Sequence, residues 1–142
     1  MEIVKVNKEN EKRLLEFIEN LTLIKDVDID IVRNASFVLD ENEIIGVLSF
    51  EAFSNIGLIR YFIFKRAVEE KVVFDLLDSV IETAKESGIV FLTTIVTKEN
   101  IAYLFKELGF SEFDSSNVYI DETNLLETKY KGSYVLNYKI EF

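Results

Sequence analysis

The sequence predicts a mixed α/β (α+β) fold: a mainly antiparallel central sheet of about seven strands, flanked by helices on both faces, in the order βα(α)βββαβαββ. Three observations predict it. Short alternating segments open and close the chain. The apolar period switches from 2 to 3.6 near residue 67 and back to a strand pattern near residue 89. The composition is globular: 49% hydrophobic and 30% charged among 142 residues, with five glycines and no proline. Nothing in this composition marks a linker, so one domain over residues 1–142 is expected.

Residues 2–6 alternate and read as a strand. Asn7 or Asn10 is placed to cap a helix over 8–21, where Leu14, Leu15, Phe17, Ile18 and Leu21 recur at helical spacing. In residues 22–33, Asp26, Asp28 and Asp30 alternate with Val27, Ile29 and Ile31. This fits a strand or an irregular helix, and a short helix or loop is the reading taken. Three strands follow: Ser36–Leu39, Ile44–Phe53 with Gly46 at a bulge, and Leu58–Phe64, joined by turns at 40–43 and 55–57. The apolar Leu58–Phe64 run suits a central strand covered on both faces.

From Val68 the stripe Val72, Val73, Leu76, Leu77, Val80, Ile81 and Ala84 forms a helix that Gly88 ends. Residues 89–96 form a buried strand, expected to run parallel to Leu58–Phe64 through a right-handed crossover. Thr97 is placed to cap a helix over about 98–108 whose buried face is Ile101, Leu104, Phe105 and Leu108, ended by Gly109. Two strands close the chain, around 110–120 and from Tyr134 to Phe142. Most of the twelve phenylalanines fall at core-facing positions. The stripe Tyr134, Tyr138 and Phe142 reads first as core, then as cleft wall or homodimer face.

The residue inventory excludes much chemistry. There is no cysteine and no histidine, which removes disulfides, thiolate nucleophiles, Ser-His-Asp triads and the usual zinc and iron sites. No metal is expected. The formal net charge is −10, which argues against nucleic acid and anionic membrane surfaces as partners. The start Met1-Glu2-Ile3-Val4-Lys5 lacks a signal pattern and no apolar run approaches a membrane span, so a cytoplasmic location is expected.

The element order, together with Asn100-Ile-Ala-Tyr-Leu-Phe-Lys-Glu-Leu-Gly-Phe110, resembles the GCN5-related N-acetyltransferase (GNAT) superfamily. Asn100, Leu108, Gly109 and Phe110 match its pattern of an Asn, a short helix and Leu-Gly-Phe, and Asp40–Phe53 looks like its second and third strands. The resemblance implies acetyl-CoA, or another acyl-CoA, as cosubstrate and transfer of the acyl group to an amine. The acidic surface would suit a small cationic amine or a basic peptide as acceptor.

In that superfamily the cofactor's pyrophosphate is held where the fourth strand turns into the long helix, by a basic or glutamine residue and spaced glycines. Aligned on Leu76-Leu77, Val68 takes the basic position, and Glu69, Lys71 and Val73 take the glycine positions, so the signature is absent. Lys65, Arg66 and Lys71 could bind phosphate through side-chain charge instead. Asn100 completes the implied cofactor set, with the backbone of Phe62, Ile63 and Phe64 as the carbonyl-polarising stretch. The tyrosine that protonates the departing thiolate in many members is replaced by Phe105; Tyr103 could substitute only if the cofactor sat differently. Glu51 is the best-placed carboxylate for a base. These departures also fit a degenerate binding or interaction module that keeps the fold without the reaction.

Overall fold

The computed structural model describes residues 1–22, 26–113, 119–120, 123–124 and 133–141. Strand β1 (Glu2–Lys5) leads to α1 (Glu11–Thr22) through a reciprocal cap. The Asn7 side chain accepts from the Asn10 N–H at 3.0 Å, and the Asn10 side chain accepts from the Asn7 N–H at 2.7 Å. The Asp-rich stretch resolves as a short helix, α2 (Ile29–Val32), capped by Asp28. Next come β2 (Ser36–Asp40), β3 (Glu43–Phe53), β4 (Ile56–Phe64), α3 (Glu70–Glu86), β5 (Phe91–Val96) and α4 (Glu99–Glu107). The chain continues with β6 (Ser111–Phe113), the two-residue strands β7 (Tyr119–Ile120) and β8 (Thr123–Asn124), and β9 (Tyr134–Lys139).

The main sheet has the order β1-β2-β3-β4-β5-β9-β6, and β7 and β8 pair separately. β1 to β4 form an antiparallel meander, β5 runs parallel to β4, and β9 is antiparallel to both β5 and β6. One face packs Leu14, Ile18, Val32, Phe37 and Val47 under α1 and α2. The other packs Phe50, Leu76, Leu77, Val80, Phe105 and Leu136 under α3 and α4. The α3 stripe buries Val73, Leu76, Leu77, Val80 and Ala84. Each large aliphatic side chain among them contributes about 1.5–3 kcal/mol of transfer free energy.

Both helix ends expected at glycine are built that way. Gly109 has φ 102°, where an L side chain is strained. The Phe110 N–H reaches the Phe105 carbonyl at 3.0 Å and the Gly109 N–H that of Lys106 at 3.1 Å, a Schellman motif. Its apolar contact is the Phe105–Phe110 ring pair, with centroids 5.1 Å apart. So Leu108-Gly109-Phe110 is a helix stop that also seats a core aromatic.

Several expectations are corrected. The second hairpin turns at Ser54 and Asn55, while Gly57 lies inside β4 opposite Ala52. α3 starts two residues later than Val68, which packs against the core ahead of the helix. The residue capping α4 is Lys98, not Thr97, and it makes no side-chain cap bond. Of the strand expected around 110–120, Ser111–Phe113 joins the main sheet and Tyr119–Ile120 pairs with Thr123–Asn124 instead, while 114–118 lie outside the described residues. β9 ends at Lys139, and Phe142 lies outside the described residues. β9 is also covered on both faces: Val135 is as buried as Leu136. Tyr134 and Tyr138 pack against the α3/α4 core, the first of the readings given above.

Candidate functional site: a slot between two parting strands

β4 and β5 pair over three positions only, from Ile56 opposite Phe91 to Leu58 opposite Thr93. Beyond them β4 runs on from Ile59 to Phe64 beside β3 and β5 from Thr94 to Val96 beside β9, without pairing with each other. The two strands therefore part toward their carboxyl ends. There β4 leads into α3 and β5 into α4, so both helix N-termini begin at the mouth of the opening. Open α/β sheets bind ligands in such a crevice, where backbone polar groups are left over.

The β4 edge facing the opening follows from register. The Lys65 N–H bonds the Ile45 carbonyl of β3 at 2.8 Å. Peptide groups alternate along a strand, so the Phe64 N–H points to the opposite edge, with the Phe62 N–H two residues before it. Ile63, between them and opposite Val47, turns its N–H back to β3 and its side chain onto the α1/α2 cluster. Of the three residues expected at the cofactor carbonyl, Phe62 and Phe64 thus turn their N–H groups toward the β5 side and Ile63 does not.

β4 also bulges. Val47 faces Ile63 but Ser49 faces Arg60, leaving one extra residue on β4. Tyr61 takes up the irregularity at φ 56°, an unusual conformation for a large side chain. In consequence Arg60 and Tyr61 share the α1/α2 face. The Arg60 guanidinium carbon sits 5.7 Å from the Tyr61 ring centroid, and the Tyr61 hydroxyl accepts from the Asp28 N–H at 3.1 Å. Glu51 lies on the same face, and Arg60 Nη1 reaches its Oε1 at 2.7 Å.

A row of aromatic rings packs on the α3/α4 face of the sheet, opposite Arg60 and Tyr61. Phe64 packs edge-on to Phe62, and Phe62 to Phe105, each pair at 5.4 Å; Phe105 packs on Phe110, and Phe110 on Tyr138 at 5.5 Å. The Phe64 ring rests on Gly46, where a Cβ would stand 2.5 Å from its Cδ1. Tyr103 is not in this row. It is 63% exposed, on the face of α4 opposite Phe105, because two residues of helix turn the side chain through about 200°. Tyr103 therefore stands on the solvent face of α4, off the aromatic row.

At the mouth, α3 opens with Glu69 as N-cap and no side-chain cap bond. Of the three positions where glycines were expected, Glu69 and Lys71 are exposed and Val73 is turned into the core, so only the first two crowd the mouth. The cations there have partners. Lys65 Nζ meets Glu43 Oε2 at 3.2 Å, Arg66 Nη1 meets Glu43 Oε1 at 2.9 Å, and Arg66 also pairs with Asp40. Hydrogen bonds from Arg66 and then Lys65 hold the Glu43 carboxyl below its ordinary range, and Glu43 followed by Asp40 raises Arg66. Lys71 pairs with Asp75 one turn along at 3.0 Å. Asn100 is exposed in the first turn of α4, beside the mouth.

The sequence matches no family model and no curated protein. Solved structures match over nearly the full chain. A GNAT-family acetyltransferase from Streptococcus pneumoniae superposes with TM-score 0.67 at 19% identity, covering 99% of both chains. The chain has the GNAT fold. A Mycobacterium tuberculosis protein in complex with coenzyme A gives TM-score 0.69 at 8% identity, covering 99% of this chain and all of that one. N-acetylglutamate synthase from Neisseria gonorrhoeae, in complex with coenzyme A and L-arginine, gives TM-score 0.73 at 18% identity. The chain spans 33% of that longer enzyme, so the likeness there is to one part of it.

Proposed function

We propose that this protein is a GNAT-superfamily acyltransferase that moves an acetyl group, or a related acyl group, from coenzyme A to a small amine. The observation that carries the reading is the three-residue pairing of β4 and β5, which leaves an open edge of backbone donors on a GNAT-fold sheet. The residues present fit the pantetheine end of acetyl-CoA. The N–H groups of Phe62 and Phe64 turn toward the β5 side, and the donor at the thioester carbonyl would polarise it. They fit the phosphate end less closely. Lys65 and Arg66 must there exchange Glu43 and Asp40 for phosphate oxygens, an exchange between exposed partners that costs little. The uncapped first turn of α3 adds backbone donors at the same place.

The chemistry asked of the side chains is modest. Attack of an amine on a thioester is driven mainly by positioning. Glu51, on the face opposite the aromatic wall, takes the proton that the amine sheds. Phe105 has no proton to give and Tyr103 points away, so the thiolate takes its proton from water. A second reading, a binding module that keeps the fold without turnover, is favoured by the same Phe105 and by the ion-paired cations.

Thermal unfolding with and without acetyl-CoA tests the reading. At one hundred times its Kd the ligand adds about 2.7 kcal/mol, a rise of several degrees. Arg66→Ala and Lys71→Ala should shrink that rise. No rise at millimolar acetyl-CoA would remove the cofactor, and with it the reaction. A rise without release of free thiol in the presence of any amine would favour the binding module.

A further inference from the structure

The lip of the slot carries one more piece of information, the chemistry of the acceptor. The rings of Phe62, Phe105 and Phe110 pack together into the α3/α4 core, so the α3/α4 side of β4 offers an acceptor no polar side chain there. An acceptor must therefore reach the slot from the α1/α2 side. The first β4 side chains on that face beyond the last β5 pairing are Arg60 and Tyr61, brought side by side by the bulge. Beyond them Ile63 packs into the α1/α2 cluster. Glu51 flanks Arg60 at 2.7 Å, and neither side chain is buried, at 29% and 41% exposed. The lip thus presents one positive and one negative head, touching each other and open to solvent.

We propose that the acceptor is a compact amino carboxylate, an amino-acid-like molecule whose carboxylate is held by Arg60 and whose amine is held by Glu51. Two protein charges this close are matched by two ligand charges equally close, as in an ammonium and a carboxylate separated by one to three carbons. A planar guanidinium binds a carboxylate with two parallel hydrogen bonds, and stacking on Tyr61 fixes its orientation. A zwitterion carries no net charge, so the −10 of the protein does not oppose its approach. In the transfer, the amine nitrogen forms the C–N bond as the C–S bond breaks. Bound as an ammonium, the nitrogen first yields one proton to Glu51, which frees its lone pair, and sheds a second to water as the amide forms, while the thiolate is protonated from water.

The inference rests on the acyltransferase reading, and its test separates the two. Free thiol is measured with saturating acetyl-CoA and a panel of the common amino acids, β-alanine and γ-aminobutyrate, each beside its carboxamide and its decarboxylated amine. At least one amino carboxylate should exceed its matched carboxamide and amine by at least about tenfold in kcat/KM. Arg60→Gln should erase that preference by lowering the carboxylate substrate at least about tenfold more than its matched carboxamide and amine, and Arg60→Lys should restore part of it. The thermal shift with acetyl-CoA should be unchanged in both variants, which also shows that they fold. Equal turnover of the matched amine would overturn the inference. So would equal losses on all three substrates in Arg60→Gln, or acetyl-CoA binding with no panel member acetylated. Failure of acetyl-CoA to bind at all would instead bring down the acyltransferase reading.

Discussion

Replacing Phe105 separates a wall from a surface. Its ring is 2% exposed and packs between Phe62 at 5.4 Å and Phe110 at 5.1 Å. Truncating such a ring to alanine costs about 3–5 kcal/mol, since the transfer term, the cavity and two aromatic contacts are lost together. For a chain of this size each kcal/mol lowers the midpoint by roughly 2–4 °C, so Phe105→Ala should lower it by roughly 6–20 °C. Tyr103 lies two residues away and is 63% exposed, so Tyr103→Ala should stay within about 0.5 kcal/mol of the parent. Urea unfolding followed by circular dichroism measures both. A cost below about 1 kcal/mol for Phe105→Ala, with the larger cost at Tyr103→Ala, would mean that α4 is turned by half a revolution. The aromatic wall would then not exist, and the acceptor's route would lie open on the other side.

Gly46→Ala places a methyl 2.5 Å from a Phe64 ring atom, and moving that ring should cost about 1–3 kcal/mol by overpacking, measurable by the same denaturation. Tyr61→Phe removes the hydroxyl that the Asp28 N–H bonds and should cost about 0.5–1.5 kcal/mol; hydrogen exchange should show the Asp28 amide losing protection. Glu43 titrates below its ordinary range when folded, because of Arg66 and Lys65. Its contribution to stability is therefore full above the unfolded carboxyl pKa and is lost as the pH falls through the lower folded value. Glu43→Gln should flatten the acid limb of the stability curve and leave its shape near neutrality unchanged.

How much of this was legible in the residues depends on how local the signal is. Period and punctuation are local. The alternation of residues 2–6, the α3 stripe from Val72 to Ala84, and Gly88 and Gly109 as helix stops are all realised, with Gly88 at φ 77°. The bulge beside Gly46 is realised too, since the register shifts between Val38 and Leu39 opposite it. What the residues hid was set at a distance. Nothing local to Tyr61 announces a left-handed backbone, which is fixed by how β4 meets β3 on one side and α2's leading segment on the other. Nor does any local pattern say that β5 leaves β4 after Thr93. Lys65 and Arg66 looked like unclaimed charge because Glu43 and Asp40, their partners, lie more than twenty residues back. Arg60 was passed over as a functional residue for a similar reason: only the register of β3 and β4 brings it to Glu51. Gly57 looked like a turn glycine, but it sits in β4 where a Cβ would come within 2.9 Å of Leu92.

The measurement that tests the central claim most directly is a backbone amide titration by NMR with acetyl-CoA. The account predicts saturable shifts and slowed exchange at Phe62 and Phe64 and in Thr94–Val96, and little change where β4 and β5 are zipped, at Ile56–Leu58 and Phe91–Thr93. Unshifted amides along both parted strands at millimolar acetyl-CoA, or shifts confined to the zipped segment, would contradict it.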